Sequence, residues 1–134
     1  SDVYKRQLDT HTGDLHVCCA GHPVPLIVRN GEIVAANNPG GMPLAIVKDA
    51  DYVETTHRLQ PGDRVYLYSD GIMEEFHPVT GQQFGETEMV RSYLNQAAST
   101  TDDAVDGIVD ALADWAGQRA FKDDVSILAI DWLG

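Results

Sequence analysis

Two stretches of this chain carry carboxylates at the ends of strand-like segments, where a metal ion could use them. The first is residues 64–75, Arg-Val-Tyr-Leu-Tyr-Ser-Asp-Gly-Ile-Met-Glu-Glu. Val65, Leu67 and Ser69 alternate with Tyr66 and Tyr68, which predicts a strand over 64–69 buried on one face or both. The run stops at Asp70-Gly71, and a glycine lets the backbone turn away close beside a rigidly held carboxylate. The second stretch is Lys122-Asp123-Asp124, which enters the β-branched run 125–130. That run is apolar on both faces and reads as a central strand. If the two strands are antiparallel neighbours, the exit of one lies beside the entrance of the other and the three acids converge. The Asp70 and Asp123 carboxylates are then expected within about 4–6 Å, where each strongly influences the other. Such a cluster repels itself unless a cation neutralises it, and an all-oxygen donor set suits Mg²⁺ or Mn²⁺. A plainer reading competes, in which Asp70-Gly71 is only a hairpin turn and Asp70 lies far from Asp123.

Other chemistries find less support. The five histidines (His11, His16, His22, His57, His77) have neither HxH nor HExxH spacing, which disfavours zinc. No GxSxG elbow, P-loop or GxGxxG is present. Cys18 and Cys19 are adjacent within an apolar run, so buried thiols are expected in a reducing compartment, with the cytoplasm as the default. Nine basic against 21 acidic residues give a net charge of −12, which argues against nucleic acid or an anionic membrane as partner. No apolar run approaches the roughly 18 residues of a membrane span.

The elements that must position these acids fit one domain, since 134 residues suffice for a single core. Residues 1–7 show little periodicity. A turn at 9–14 leads to a strand over 15–20, and Gly21-His22-Pro23-Val24-Pro25 is irregular because its prolines remove donors. Asn30-Gly31 between 26–29 and 32–36 predicts a type I′ hairpin. After a loop at 37–43 comes a strand over 52–59, and Gln60-Pro61-Gly62-Asp63 turns the chain into 64–69. Residues 78–85 form another loop. Met89, Val90, Tyr93, Leu94 and Ala97 make one helical stripe; Val105, Ile108, Val109, Leu112, Trp115 and Ala116 make a second, with Thr101 as its N-cap. Trp115 at that spacing is read as core.

Five ordered pieces resemble one family: Ala20-Gly21-His22-Pro23; Leu59-Gln60-Pro61-Gly62-Asp63; Leu67-Tyr68-Ser69-Asp70-Gly71-Ile72 with Glu74; Gly81 with Phe84-Gly85; and Asp123-Asp124-Val125-Ser126-Ile127-Leu128. Together they resemble the SpoIIE-type branch of the metal-dependent (PPM) protein phosphatases, over roughly residues 8–131. The resemblance implies an α/β (α+β) sandwich of two mainly antiparallel sheets flanked by helices. It implies a site with two Mn²⁺ or Mg²⁺ ions, at which water attacks phosphoserine or phosphothreonine. Asp70 matches a metal-ligand Asp of the family, and so does Asp123. Asp124 falls where other branches have Asn; with Gly71 and Glu74 it is expected beside the ligands. The implied substrate resembles a phosphorylated anti-sigma-factor antagonist, placing the chain in bacterial signalling. Nothing here matches the family's N-terminal metal Asp or its Asp-x-Ser-Gly-His-Gly stretch. The expectation is therefore a single domain over 1–134, incomplete at its N-terminus, with 1–7 foreign to it. Such a piece should have a partial site and associate through exposed sheet. The alternative is a non-catalytic, phosphatase-like module that binds a regulator.

Overall fold

The computed structural model describes residues 5–20, 25–34, 46–47 and 52–134. The β-branched and aromatic runs form β1 (Lys5–Leu8), β2 (Asp14–Ala20), β3 (Leu26–Arg29), β4 (Glu32–Val34), β5 (Ile46–Val47), β6 (Tyr52–Arg58), β7 (Arg64–Tyr68) and β8 (Ile127–Asp131). Three helices, α1 (Gly71–Glu74), α2 (Gly85–Asn95) and α3 (Thr101–Trp115), lie between β7 and β8 in the chain. The strands make two four-stranded sheets, ordered β1-β2-β6-β5 and β4-β3-β7-β8, and every pairing is antiparallel.

Alternation along the second sheet decides how the layers stack. Ile27 and Val65 join Leu15 and Leu59 in one buried cluster, so that face meets the first sheet. Leu26, Val28 and Tyr66 point the other way, into a cluster with Ile72, Phe84, Met89, Tyr93, Ile108 and Leu112. The order across the molecule is therefore sheet, sheet, helices, and β7 is buried on both faces as its sequence predicts. Tyr66 stacks on Tyr93 of α2, with centroids 4.3 Å apart and an interplanar angle of 14°.

Local expectations hold at several points. Asn30 and Gly31 both take positive φ, 52° and 76°, as a type I′ turn requires. The Asp63 amide donates to the Gln60 carbonyl at 3.0 Å, closing the turn before β7. Of the two helical stripes, Met89, Tyr93, Ile108 and Leu112 are buried in the cluster on the second sheet.

Other expectations are corrected. Residues 5–8 form strand β1, in register with β2 from Lys5↔Cys18 to Leu8↔Leu15, although their composition shows no pattern. Pairing to a neighbour, not local propensity, makes that strand. The run at 125–130 enters its strand only at Ile127, and among the described residues β8 pairs with β7 alone. Leu128, opposite Leu67 in the ladder, is 53% exposed. The N-cap of α3 is Thr100, whose hydroxyl accepts the Asp103 amide, one residue before the expected Thr101. Ala97 lies beyond the end of α2 and is exposed. Trp115, by contrast, packs against the core as its spacing predicts, half-buried, with its indole donating to the Gln82 carbonyl at 3.0 Å. The Gly21-His22-Pro23 turn, the 37–43 loop and the side chains of Cys18 and Cys19 lie outside the described residues.

Candidate metal centre

The β7–β8 ladder runs from Arg64↔Asp131 to Tyr68↔Ile127 and then hands over to a side chain. The Ser69 amide donates to the Ser126 carbonyl at 3.0 Å. The Ser69 hydroxyl donates to the Asp124 carbonyl at 3.2 Å and accepts the Ser126 amide at 2.9 Å. Ser69 thus fastens the exit of β7 to the entry of β8, satisfying backbone groups that the ladder no longer pairs.

Asp70 does not turn the chain into a hairpin. It is the N-cap of α1, its carbonyl accepts the Glu74 amide at 3.2 Å, and its carboxylate makes no capping bond. Gly71 lies against the entry to β8. A Cβ at Gly71 would stand 2.3 Å from the Asp124 carbonyl oxygen and 3.5 Å from Asp123 Cβ. Any side chain there would force the two segments apart, so the glycine is required for close approach. The structure thereby brings Asp70-Gly71 directly against Asp123-Asp124, with Glu74 on the outer side of α1. The reading that separated Asp70 from Asp123 is excluded.

The electrostatics of this corner differ from the rest of the sheet. Among the described residues, the carboxylates of Asp70, Glu74, Asp123 and Asp124 have neither a hydrogen bond nor an ion pair, and all four residues are exposed. At the far end of the same strands, the Asp63, Arg64 and Asp131 side chains are fully engaged. Asp70 and Asp123, both exposed, lie on segments that Gly71 holds in close contact, and carboxylate oxygens are the donor type that hard divalent cations take. Among the described residues no group of three potential ligands stands close enough together to hold a metal ion.

One functional candidate escaped the sequence reading. Glu74 is exposed, whereas its neighbour Glu75 is buried, at 1% exposure. The signal was available in the helical period, which puts Ile72 and Glu75 on one inward face. A carboxylate at a core-facing position implies a specific partner.

The fold matches solved protein phosphatase domains of the PP2C class. The phosphatase domain of SpoIIE from Bacillus subtilis superposes with a TM-score of 0.77 at 16% identity, over 98% of this chain and 58% of that one. The SiaA PP2C domain of Pseudomonas aeruginosa gives 0.75 at 22% identity, over 97% and 51%. The RsbU and RsbW domains of a Mycobacterium tuberculosis protein give 0.62 at 24%, over 92% and 34%. The chain thus spans about half the length of the solved domains it matches. The profile of the family described as Stage II sporulation protein E (SpoIIE) matches residues 3–133, and the chain belongs to that family. No curated protein sequence is detectably similar to it. The family match reaches back into β1, where the sequence itself offered no pattern.

Proposed function

We propose that this chain is part of a metal-dependent protein serine/threonine phosphatase domain, in which Asp70 and Asp123 hold Mn²⁺ or Mg²⁺. The observation that carries the reading is the contact of Gly71 with Asp123 and Asp124, which gathers carboxylates that no protein cation neutralises among the described residues. A Bacillus subtilis relative was solved after presoaking with Mn, which supports manganese as the first ion to test. A bound divalent cation would supply the charge that lowers the pKa of water and offsets that of a phosphate. The protein's own part is to orient and hold. Ser69 and the Gly71 contact fix the two backbones, and Asp70 stays free of the helix it caps. Asp124 and Glu74 add negative charge beside the ligands. Residues from the remaining half of such a domain complete the site.

The proposed substrate is a phosphoserine or phosphothreonine protein of the anti-sigma-factor-antagonist type, and the proposed compartment is the cytoplasm. No described helix is long and apolar enough to cross a membrane. The test is hydrolysis of a phosphoserine protein by a domain of the relatives' full length, with and without Mn²⁺. Asp70→Asn and Asp123→Asn should each remove most of the metal-dependent rate, because Asn keeps the size but loses the charge. Asp124→Asn should be milder, and His22→Ala should leave metal binding intact. Near-native, metal-dependent activity in Asp70→Asn would contradict the assignment. Metal-independent binding of a regulator without hydrolysis would favour the interaction-module alternative.

A further inference from the structure

Asp123 is held from both sides, each time by a side chain beyond the end of the strand ladder. Ser69 grips the chain after it, at the Asp124 carbonyl and the Ser126 amide. Glu75 grips the chain before it. The buried Glu75 carboxylate accepts the Lys122 amide through Oε2 at 3.0 Å, and its Oε1 faces the Arg119 guanidinium at 3.2 Å. Arg119 in turn donates to the Phe76 carbonyl, and the Lys122 ammonium lies 4.6 Å from the centre of the Phe76 ring. The Glu75 carbonyl accepts the Phe84 amide at 2.8 Å, anchoring the helix end itself. One short helix therefore carries Asp70 at its N-cap and, at its C-cap, the carboxylate that pins the residue before Asp123.

We propose that Glu75 is a positioning residue, which sets where Asp123 stands relative to Asp70 by fixing the segment 119–122. The proposal rests on the reading of Asp70 and Asp123 as cation ligands. Glu75 itself faces the interior and contacts neither acid. It acts through the Lys122 amide, as partners of metal ligands do when they fix a ligand's orientation.

The test uses the 134-residue chain with two readouts, amide hydrogen exchange and Mn²⁺ affinity from the spin-resonance signal of free Mn²⁺. Glu75→Gln keeps the shape but turns an amide toward Arg119 in place of a charge. It should speed exchange at Lys122 by tenfold or more while core amides of β7 stay protected. It should weaken Mn²⁺ binding by about tenfold, the low end for residues that orient metal ligands. Arg119→Met should reproduce much of both effects and Arg119→Lys should restore them in part, which separates positioning from general damage. Unchanged exchange at Lys122 in Glu75→Gln, or faster exchange with unchanged Mn²⁺ affinity, would overturn the proposal. A parallel Asp70→Asn arm isolates the underlying reading. If that variant binds Mn²⁺ as tightly as its parent, the cation site is misassigned, and exchange at Lys122 still decides whether Glu75 holds the segment.

Discussion

Strand β7 has an aspartate at each end, and the two are in opposite conditions. Asp63, at the entrance, is 1% exposed and receives two hydrogen bonds from Arg29, at 2.9 and 2.8 Å, and one from the Gln60 amide at 2.8 Å. Beside it Arg64 bonds Asp131 of β8 at 2.6 and 3.2 Å and the Gln96 and Ser99 carbonyls at the α2–α3 corner. Asp70, at the exit, is exposed and has no such partner among the described residues. The same residue type serves the fold at one end and is left exposed, without a partner among the described residues, at the other. What separates the two is whether the protein supplies the compensating charge. A carboxylate buried without one would be costly, whereas an exposed carboxylate left open is tolerable and available.

The largest expected contrast comes from removing that compensation. Arg29→Met leaves Asp63 buried and unpaired, and should cost about 3 kcal/mol, the lower end for a broken buried pair because Arg29 is 24% exposed. Asp70→Asn should change stability by no more than about 0.5 kcal/mol, as a surface substitution does. Urea denaturation of both variants checks this. Equal losses would mean that Asp70 has a structural partner after all.

Gly71→Ala comes next, because its Cβ would meet the Asp124 carbonyl oxygen at 2.3 Å. Separating the strands there should cost about 1–3 kcal/mol, as overpacking typically does, and should also weaken Mn²⁺ binding. An alanine variant of native stability would show that the contact is loose. Ser69→Ala should be milder, about 0.5–1 kcal/mol, since it removes two hydrogen bonds whose backbone partners are exposed and can turn to water.

The pH dependence should sharpen the comparison further. Burial pushes the Asp63 pKa up, but the hydrogen bonds from Arg29 and the Gln60 amide outweigh it and hold the group below its ordinary 3.8. The folded state then binds fewer protons than the unfolded chain. Its contribution is present above pH 3.8 and is lost as pH falls through the lower folded value. Burial also depresses His57 below its ordinary 6.5, so its contribution is present above that pH and declines below it. Stability should fall in these two windows on acidification. Asp63→Asn should flatten the lower one and His57→Gln the upper one. A melting temperature that stays level from pH 7 to 3 would contradict both.

Much of the fold is legible in the residues because its signals are local. The alternation of 64–69, the Asn30-Gly31 turn and the two helical stripes each specify their own element. The missed strand β1 had no local signal, since Lys5-Arg6-Gln7-Leu8 becomes a strand only by pairing with β2. That β8 pairs with β7 alone among the described residues was hidden for a similar reason, because an apolar run on both faces does not state how many neighbours it has. At the site, the carboxylates were readable as strand ends, and Gly71 as a place of close approach. Glu75 was not read, because two adjacent glutamates differ only in the side of α1 they face. The partners at β7's entrance were also invisible, since Arg29 and Asp63 are 34 residues apart.

The central claim is that Asp70 and Asp123 hold a divalent cation while Asp63 holds the fold. Titration of Mn²⁺ into the chain, read by the loss of the free-ion spin-resonance signal, tests it most directly. The account predicts that Asp70→Asn and Asp123→Asn each weaken binding at least tenfold with little change in melting temperature. It also predicts that Asp63→Asn, measured well below its own lowered melting temperature, binds Mn²⁺ as the parent does. Loss of Mn²⁺ affinity in Asp63→Asn alongside unchanged affinity in Asp70→Asn would contradict it.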